Sequence, residues 1–120
     1  MQITLDLDDN QYILEGYGDN FIQINGRKIF HSLILSANTL IEPWPVQSIQ
    51  SLQLEHFHDI LRLQPSILLL GTGSQVIFPK IEQLTYLQQI PLEVMDTLTA
   101  CRVYKSLSIE RQGVVAALMI

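Results

Sequence analysis

The sequence holds a single cysteine, Cys101, and that scarcity closes off two kinds of chemistry. No intramolecular disulfide can form, and no zinc site built on several thiolates can exist. Basic residues are few as well: seven Lys and Arg stand against twelve Asp and Glu, a formal net charge of −5. Nucleic-acid affinity arises largely from cationic side chains displacing counterions, so a nucleic-acid partner is not expected. Charged residues make up only 16% of the chain while 48% is apolar, which rules out a disordered chain. Long apolar runs are missing too. The longest, residues 67–70 and 114–120, fall far short of the ~20 residues a membrane-spanning helix needs, so the chain is not read as an integral membrane protein. The start, Met1-Gln2-Ile3-Thr4-Leu5-Asp6, lacks a basic region followed by an apolar core. It therefore reads as neither a secretory signal nor a transit peptide, and a cytoplasmic location is expected.

What is present is enough for one domain spanning residues 1–120. A chain of this length can bury roughly two-thirds of its unfolded surface without staples. The first third is strand-like. Tyr12-Ile13-Leu14-Glu15-Gly16-Tyr17 and Phe21-Ile22-Gln23-Ile24 flank a turn at Gly18-Asp19-Asn20. Asn25-Gly26 then reads as a two-residue hairpin turn of the primed type, leading into a third strand over residues 28–35. Pro43 and Pro45 hold Trp44 on a stiff, extended segment.

From Ser51 the period changes. Leu54, Phe57, His58 and Leu61 fall on one face of a helix that ends before Pro65. Residues 66–70 form a continuous apolar strand, stopped by Gly71-Thr72-Gly73, of the kind covered on both faces. Pro79 opens a second helix with Ile81, Leu84 and Leu87 inward. Leu92-Glu93-Val94-Met95 is a strand, Asp96 caps a third helix striped by Ala100, Val103, Tyr104 and Leu107, and residues 114–118 form a last strand. The expected fold is α/β. It is a three-layer domain with a central mixed, mostly parallel sheet flanked by helices, preceded by an N-terminal antiparallel meander.

In an open α/β sheet, ligands bind beyond the carboxyl ends of the strands. That places Gly71, Thr72, Gly73, Asp96, Thr97 and Arg102 together as a candidate ligand site. The Gly71–Gly73 amides and Arg102 would hold a small anion. Two plainer readings compete: Gly71-Thr72-Gly73 as a tight strand exit, and Asp96 as a helix cap. Cys101 lies past the first turn, where the helix dipole fades, so it reads as a buried small hydrophobe. His56 and His58 project about 200° apart on a helix and cannot share a metal, and His31 stands alone. No metal, no cofactor and no catalytic residue set is expected. Trp44 is the candidate contact for a protein partner, with a plug over the sheet edge as the competing role. Nothing in the sequence sets the oligomeric state.

The C-terminal half resembles a known family. Leu68-Leu69-Leu70-Gly71-Thr72-Gly73, the proline-started helix, Glu93-Val94-Met95-Asp96-Thr97, Ala100-Cys101-Arg102 with Tyr104, and Val115-Ala116-Ala117-Leu118 carry the likeness. They are similar to a small single-domain family of unknown activity that includes mitochondrial complex I assembly factor 3 and an adipogenesis-associated protein. The resemblance implies a three-layer α/β fold. It also implies that Gly71, Gly73, Glu93, Asp96, Thr97 and Arg102 line a shared feature beside the sheet. Val103, Lys105 and Glu110-Arg111-Gln112 depart from the family pattern near the third helix. The expected function is thus a non-enzymatic interaction or assembly factor, with the small-ligand site as the alternative.

Overall fold

The structure, a computed structural model, describes residues 11–120 except Gln88. Three short strands, β1 (Leu14–Tyr17), β2 (Ile22–Ile24) and β3 (Arg27–Ile29), form an antiparallel meander. The β2–β3 turn is made by Asn25 and Gly26, both at positive φ (49° and 83°). That pair of left-handed residues is what a primed two-residue turn requires.

The expected third strand is in fact two. The chain leaves the meander after Ile29 and enters a second sheet as β4 (Leu33–Leu35). Phe30 and His31 are exposed at the break, and Ser32 is buried there, its hydroxyl accepting from the Ile120 amide at 3.0 Å. The chain changes sheets between Ile29 and Leu33, and the ladder is interrupted there.

The second sheet has five strands in the order β5-β4-β8-β6-β7, with β5 (Leu40–Ile41), β6 (Ile67–Gly71), β7 (Leu92–Met95) and β8 (Val114–Leu118). β6 pairs in parallel with both β7 and β8, while β4 runs antiparallel to β8. The sheet is therefore mixed with a parallel core, as its apolar run predicted. Every residue of β6 and of β8 is buried, the mark of strands covered on both faces.

Alternation along these strands sorts the core into two layers. Leu69, Ala116, Leu118, Leu33 and Leu35 face the meander and α3 (Thr97–Glu110), meeting Ile22, Ile24, Ala100, Cys101 and Tyr104. Leu68, Leu70, Val115, Ala117 and Ile34 face the opposite layer, built from Trp44, Val46, Ile49, Leu52, Phe57, Ile60 and Leu87.

The helices of that second layer differ from expectation. The first begins as a 3₁₀ turn over Leu54–Phe57 and continues as α1 (His58–Arg62). The change in winding rotates the inward face, so Phe57 and Ile60 are buried while Leu54, His58 and Leu61 are exposed. His58 is not a core histidine. The second helix, α2 (Ile81–Leu84), is one turn followed by a 3₁₀ turn at Thr85–Leu87. Leu87 is buried there, but Ile81 points out, 82% exposed.

Trp44 is only 2% exposed, and its indole Nε1–H donates to the His56 carbonyl at 3.2 Å. The two flanking prolines deliver it into the core rather than to the surface, so it offers no face to a partner.

Candidate functional site

Three segments converge beyond the C-terminal ends of β6 and β8: the exit of β6, the start of α3 and the last residues of the chain. Gly71 makes the approach possible. A Cβ there would lie 3.0 Å from the Thr97 Cα and 3.1 Å from Leu118 Cδ2, tighter than ordinary packing contacts, so backbone or side chain would have to give way. With glycine, the first residue of α3 rests directly on the strand.

Thr97 then ties the segments together. Its hydroxyl donates to the Met119 carbonyl at 2.6 Å and accepts from the Gly73 amide at 2.8 Å. Its own amide donates to the Gly73 carbonyl at 2.9 Å. Thr72 completes the corner: its amide donates to the Met95 carbonyl at 2.9 Å, and its hydroxyl accepts from the Ile77 amide at 3.1 Å. Both hydroxyls belong to buried residues and satisfy backbone groups that no ladder reaches.

Asp96 caps α3. Its carboxylate accepts from the Thr99 amide at 3.0 Å and from the Thr99 hydroxyl at 2.6 Å. These bonds, with a minor contribution from the Arg102 charge, hold its pKa below the usual aspartate value. Asp96→Ala should cost about 1 kcal/mol in a denaturant titration. A depressed folded-state pKa gives stability that is present above the unfolded value and lost as pH falls through the folded one. The gap between wild type and Asp96→Ala should therefore close as pH falls below about 4.

A cavity of about 550 Å³ opens at this corner, lined by Thr72, Gly73, Asp96 and Thr97, with Phe21, Leu98 and Met119 among its apolar walls. Four of the six predicted site residues thus meet in one place. Gly71 lies beneath them as packing, and Arg102 is exposed and outside the lining. The anion cradle is not assembled. The Thr72 and Gly73 amides are already donated inward, and the helix N-terminus is occupied by the Asp96 carboxylate. Asp19 lines the same cavity and among the described residues no cationic side chain does, which suits a neutral or cationic group better than an anion. Glu93 is exposed on β7, apart from this lining.

Burial pushes the Cys101 thiol up to about 12, so it stays protonated at neutral pH and is a poor nucleophile. His56 Nδ1 accepts from the Gln53 amide at 2.9 Å. His31, read as isolated in the sequence, has its Nε2 2.7 Å from Glu42 Oε1. The Glu42 carboxylate also pairs with Arg27, and that guanidinium first, then His31, holds its pKa below the ordinary glutamate value. No local pattern announces this cluster, because Arg27 and Glu42 are fifteen residues apart. Among the described residues no group of three or more His, Cys, Asp or Glu is placed to hold a metal ion.

A mixed sheet between two layers, with a helix cap seated at the ends of its parallel strands, defines a three-layer α/β domain. Residues 14–119 match the family described as protein of unknown function (DUF498/DUF598), and the chain belongs to it. The solution structure of a Xanthomonas campestris protein is 32% identical, with a TM-score of 0.83, covering 100% of this chain and 92% of that one. A Francisella tularensis protein named 13 kDa major membrane protein is 33% identical over 87 residues, 70% of this chain and 71% of that protein. NADH dehydrogenase [ubiquinone] 1 alpha subcomplex assembly factor 3 of Danio rerio is 30% identical over 111 residues. That match covers 89% of this chain but only 63% of the zebrafish protein. Among the described residues no helix is long and apolar enough to cross a membrane.

Proposed function

We propose that this chain is a non-enzymatic assembly factor that engages a protein partner of a membrane respiratory complex from the cytoplasmic side. The observation that carries the reading is an exposed apolar arm that leads from β6 into the first residue of α2. Val76, Ile77, Phe78 and Ile81 are all exposed within six residues, Phe78 by 71%. The segment 76–80 has no regular secondary structure, and its base is fastened by the Thr72 hydroxyl and by buried Pro79. Contiguous exposed apolar side chains on a small domain mark an interaction surface, because leaving them in water is costly. The arm takes the contact role that Trp44 cannot.

Two further facts support the reading. The matched zebrafish relative is named as an assembly factor of a respiratory complex, and the matched Francisella relative as a membrane protein. Three of the groups that chemistry could use are engaged elsewhere: Asp96 in capping, Cys101 in the core and His31 in pairing with Glu42. The test is deletion of the gene in the host, with the membrane NADH dehydrogenase complex followed on native gels. Assembled complex should fall several-fold, and wild type should restore it. Phe78→Ser with Ile81→Ser should not, although exposed substitutions of this kind change stability by only about 0.5 kcal/mol. Unchanged complex in the deletion strain would refute the assembly role.

A further inference from the structure

A second surface lies at the other end of β8, away from both the Thr97 corner and the arm. Two cavities of about 530 and 320 Å³ share Gln11, Ala37, Tyr104 and Ser108, and so form one continuous groove. The groove runs beside the C-terminal half of α3 and past the residues that lead into β1. Its floor is Tyr104, only 3% exposed, and its lips are the outward side chains of Ile13 and Ile109, the latter 85% exposed.

The charge of this groove is opposite to that of the molecule. Lys105 and Arg111 line it, and among the described residues no Asp or Glu does, although acids outnumber bases twelve to seven in the sequence. Arg111 is anchored at its rim, with Nη2 donating to the Ser66 hydroxyl at 3.3 Å. Two cations beside apolar lips match a ligand that carries carboxylates next to apolar side chains. We propose that the groove between β1 and α3 binds an acidic peptide segment of a partner protein, with apolar side chains between Ile13 and Ile109 and carboxylates at Lys105 and Arg111.

Complementary charge at a rim speeds association and makes it salt-sensitive, while the apolar lips set how long the segment stays. The binding is independent of the arm, so the arm variant Phe78→Ser with Ile81→Ser should keep it. The experiment uses fluorescence anisotropy of the full chain with a labelled ten-residue probe of alternating leucine and aspartate. Controls replace leucine by serine, or aspartate by lysine. The leucine–aspartate probe should bind, weaken as salt is raised, and lose about tenfold in affinity on Lys105→Glu with Arg111→Glu. Ile13→Ser with Ile109→Ser should weaken it comparably, and neither control probe should bind. All four positions are exposed; should the charge reversals lower the melting temperature, Lys105→Gln with Arg111→Gln gives the same reading. Equal binding of the lysine probe, or affinity unmoved by the groove variants, would overturn the proposal. A dimer in sedimentation that these variants dissociate would give the groove to a second copy, and also overturn it. Binding that emerges only after removal of residues 1–10, which include Asp6, Asp8 and Asp9, would give it to the chain's own start and overturn it equally.

Discussion

Trp44→Ala should destabilise the protein by about 3–5 kcal/mol, the cost of emptying a large aromatic site in a close-packed core. The indole is walled in by the layer that holds Val46, Ile49, Leu52, Phe57 and Ile60 against the sheet. Its removal also strands the His56 carbonyl that Nε1–H now reaches. For a domain of this size the melting temperature should fall by about 10–20 °C. Trp44→Phe should recover part of the loss by refilling the space without the N–H. Thermal and urea unfolding measure both variants, and a loss below about 1 kcal/mol for the alanine variant would show that the indole is not packed as described. Below its melting temperature the variant should still support complex assembly, because the arm at Val76–Ile81 is untouched.

Thr97→Val should cost about 2–4 kcal/mol without changing side-chain volume. The substitution leaves the Gly73 amide and the Met119 carbonyl without the partner each now has, and each orphaned polar group carries a desolvation penalty of about 1–3 kcal/mol. Thr97→Ser keeps the hydroxyl and should lose far less. Amide hydrogen exchange gives an independent readout: the Gly73 N–H should lose protection in the valine variant and keep it in the serine one. If valine and serine are equally mild, Thr97 is not the fastening that holds the start of α3 to β6.

Much of this architecture is legible along the chain because it depends on local patterns. The primed turn needs φ > 0 at Asn25 and Gly26, and both residue types tolerate it. β6 and β8 are continuous apolar runs, and such runs have few alternatives to an interior parallel strand. Asp96 can cap α3 using only the Thr99 amide and hydroxyl, which lie three residues on. The errors came where a choice depended on distant partners. The apolar pattern of residues 28–35 does not reveal that two sheets share it, so the break at His31-Ser32 was invisible. The helical period places Leu54, Phe57, His58 and Leu61 on one face, but the 3₁₀ start rotates that face to Phe57 and Ile60. Ile81 has helical spacing yet points to solvent, because α2 is a single turn that buries none of its residues.

At the candidate site, spacing and strand order were enough to bring Gly71, Thr72, Gly73, Asp96 and Thr97 together. They said nothing about where the backbone amides of that corner would be spent. An amide in a glycine-rich turn can face outward to an anion or inward to a neighbouring carbonyl, and only the position of α3 and of the chain end decides. Here Thr97 and Met95 take them, Arg102 stays outside, and a carboxylate sits where an anion would have bound.

By itself, then, the order of residues determined the alternation of strands and helices from β6 onward, the parallel core and the capped third helix, because each follows from contacts within a few residues or from uniform burial. The tertiary structure alone decided that Trp44 is interior, that Val76, Ile77, Phe78 and Ile81 are exposed, and that Lys105 and Arg111 flank one groove. Those properties depend on which segments lie against each other across the fold, and no short-range pattern in the chain encodes that distance.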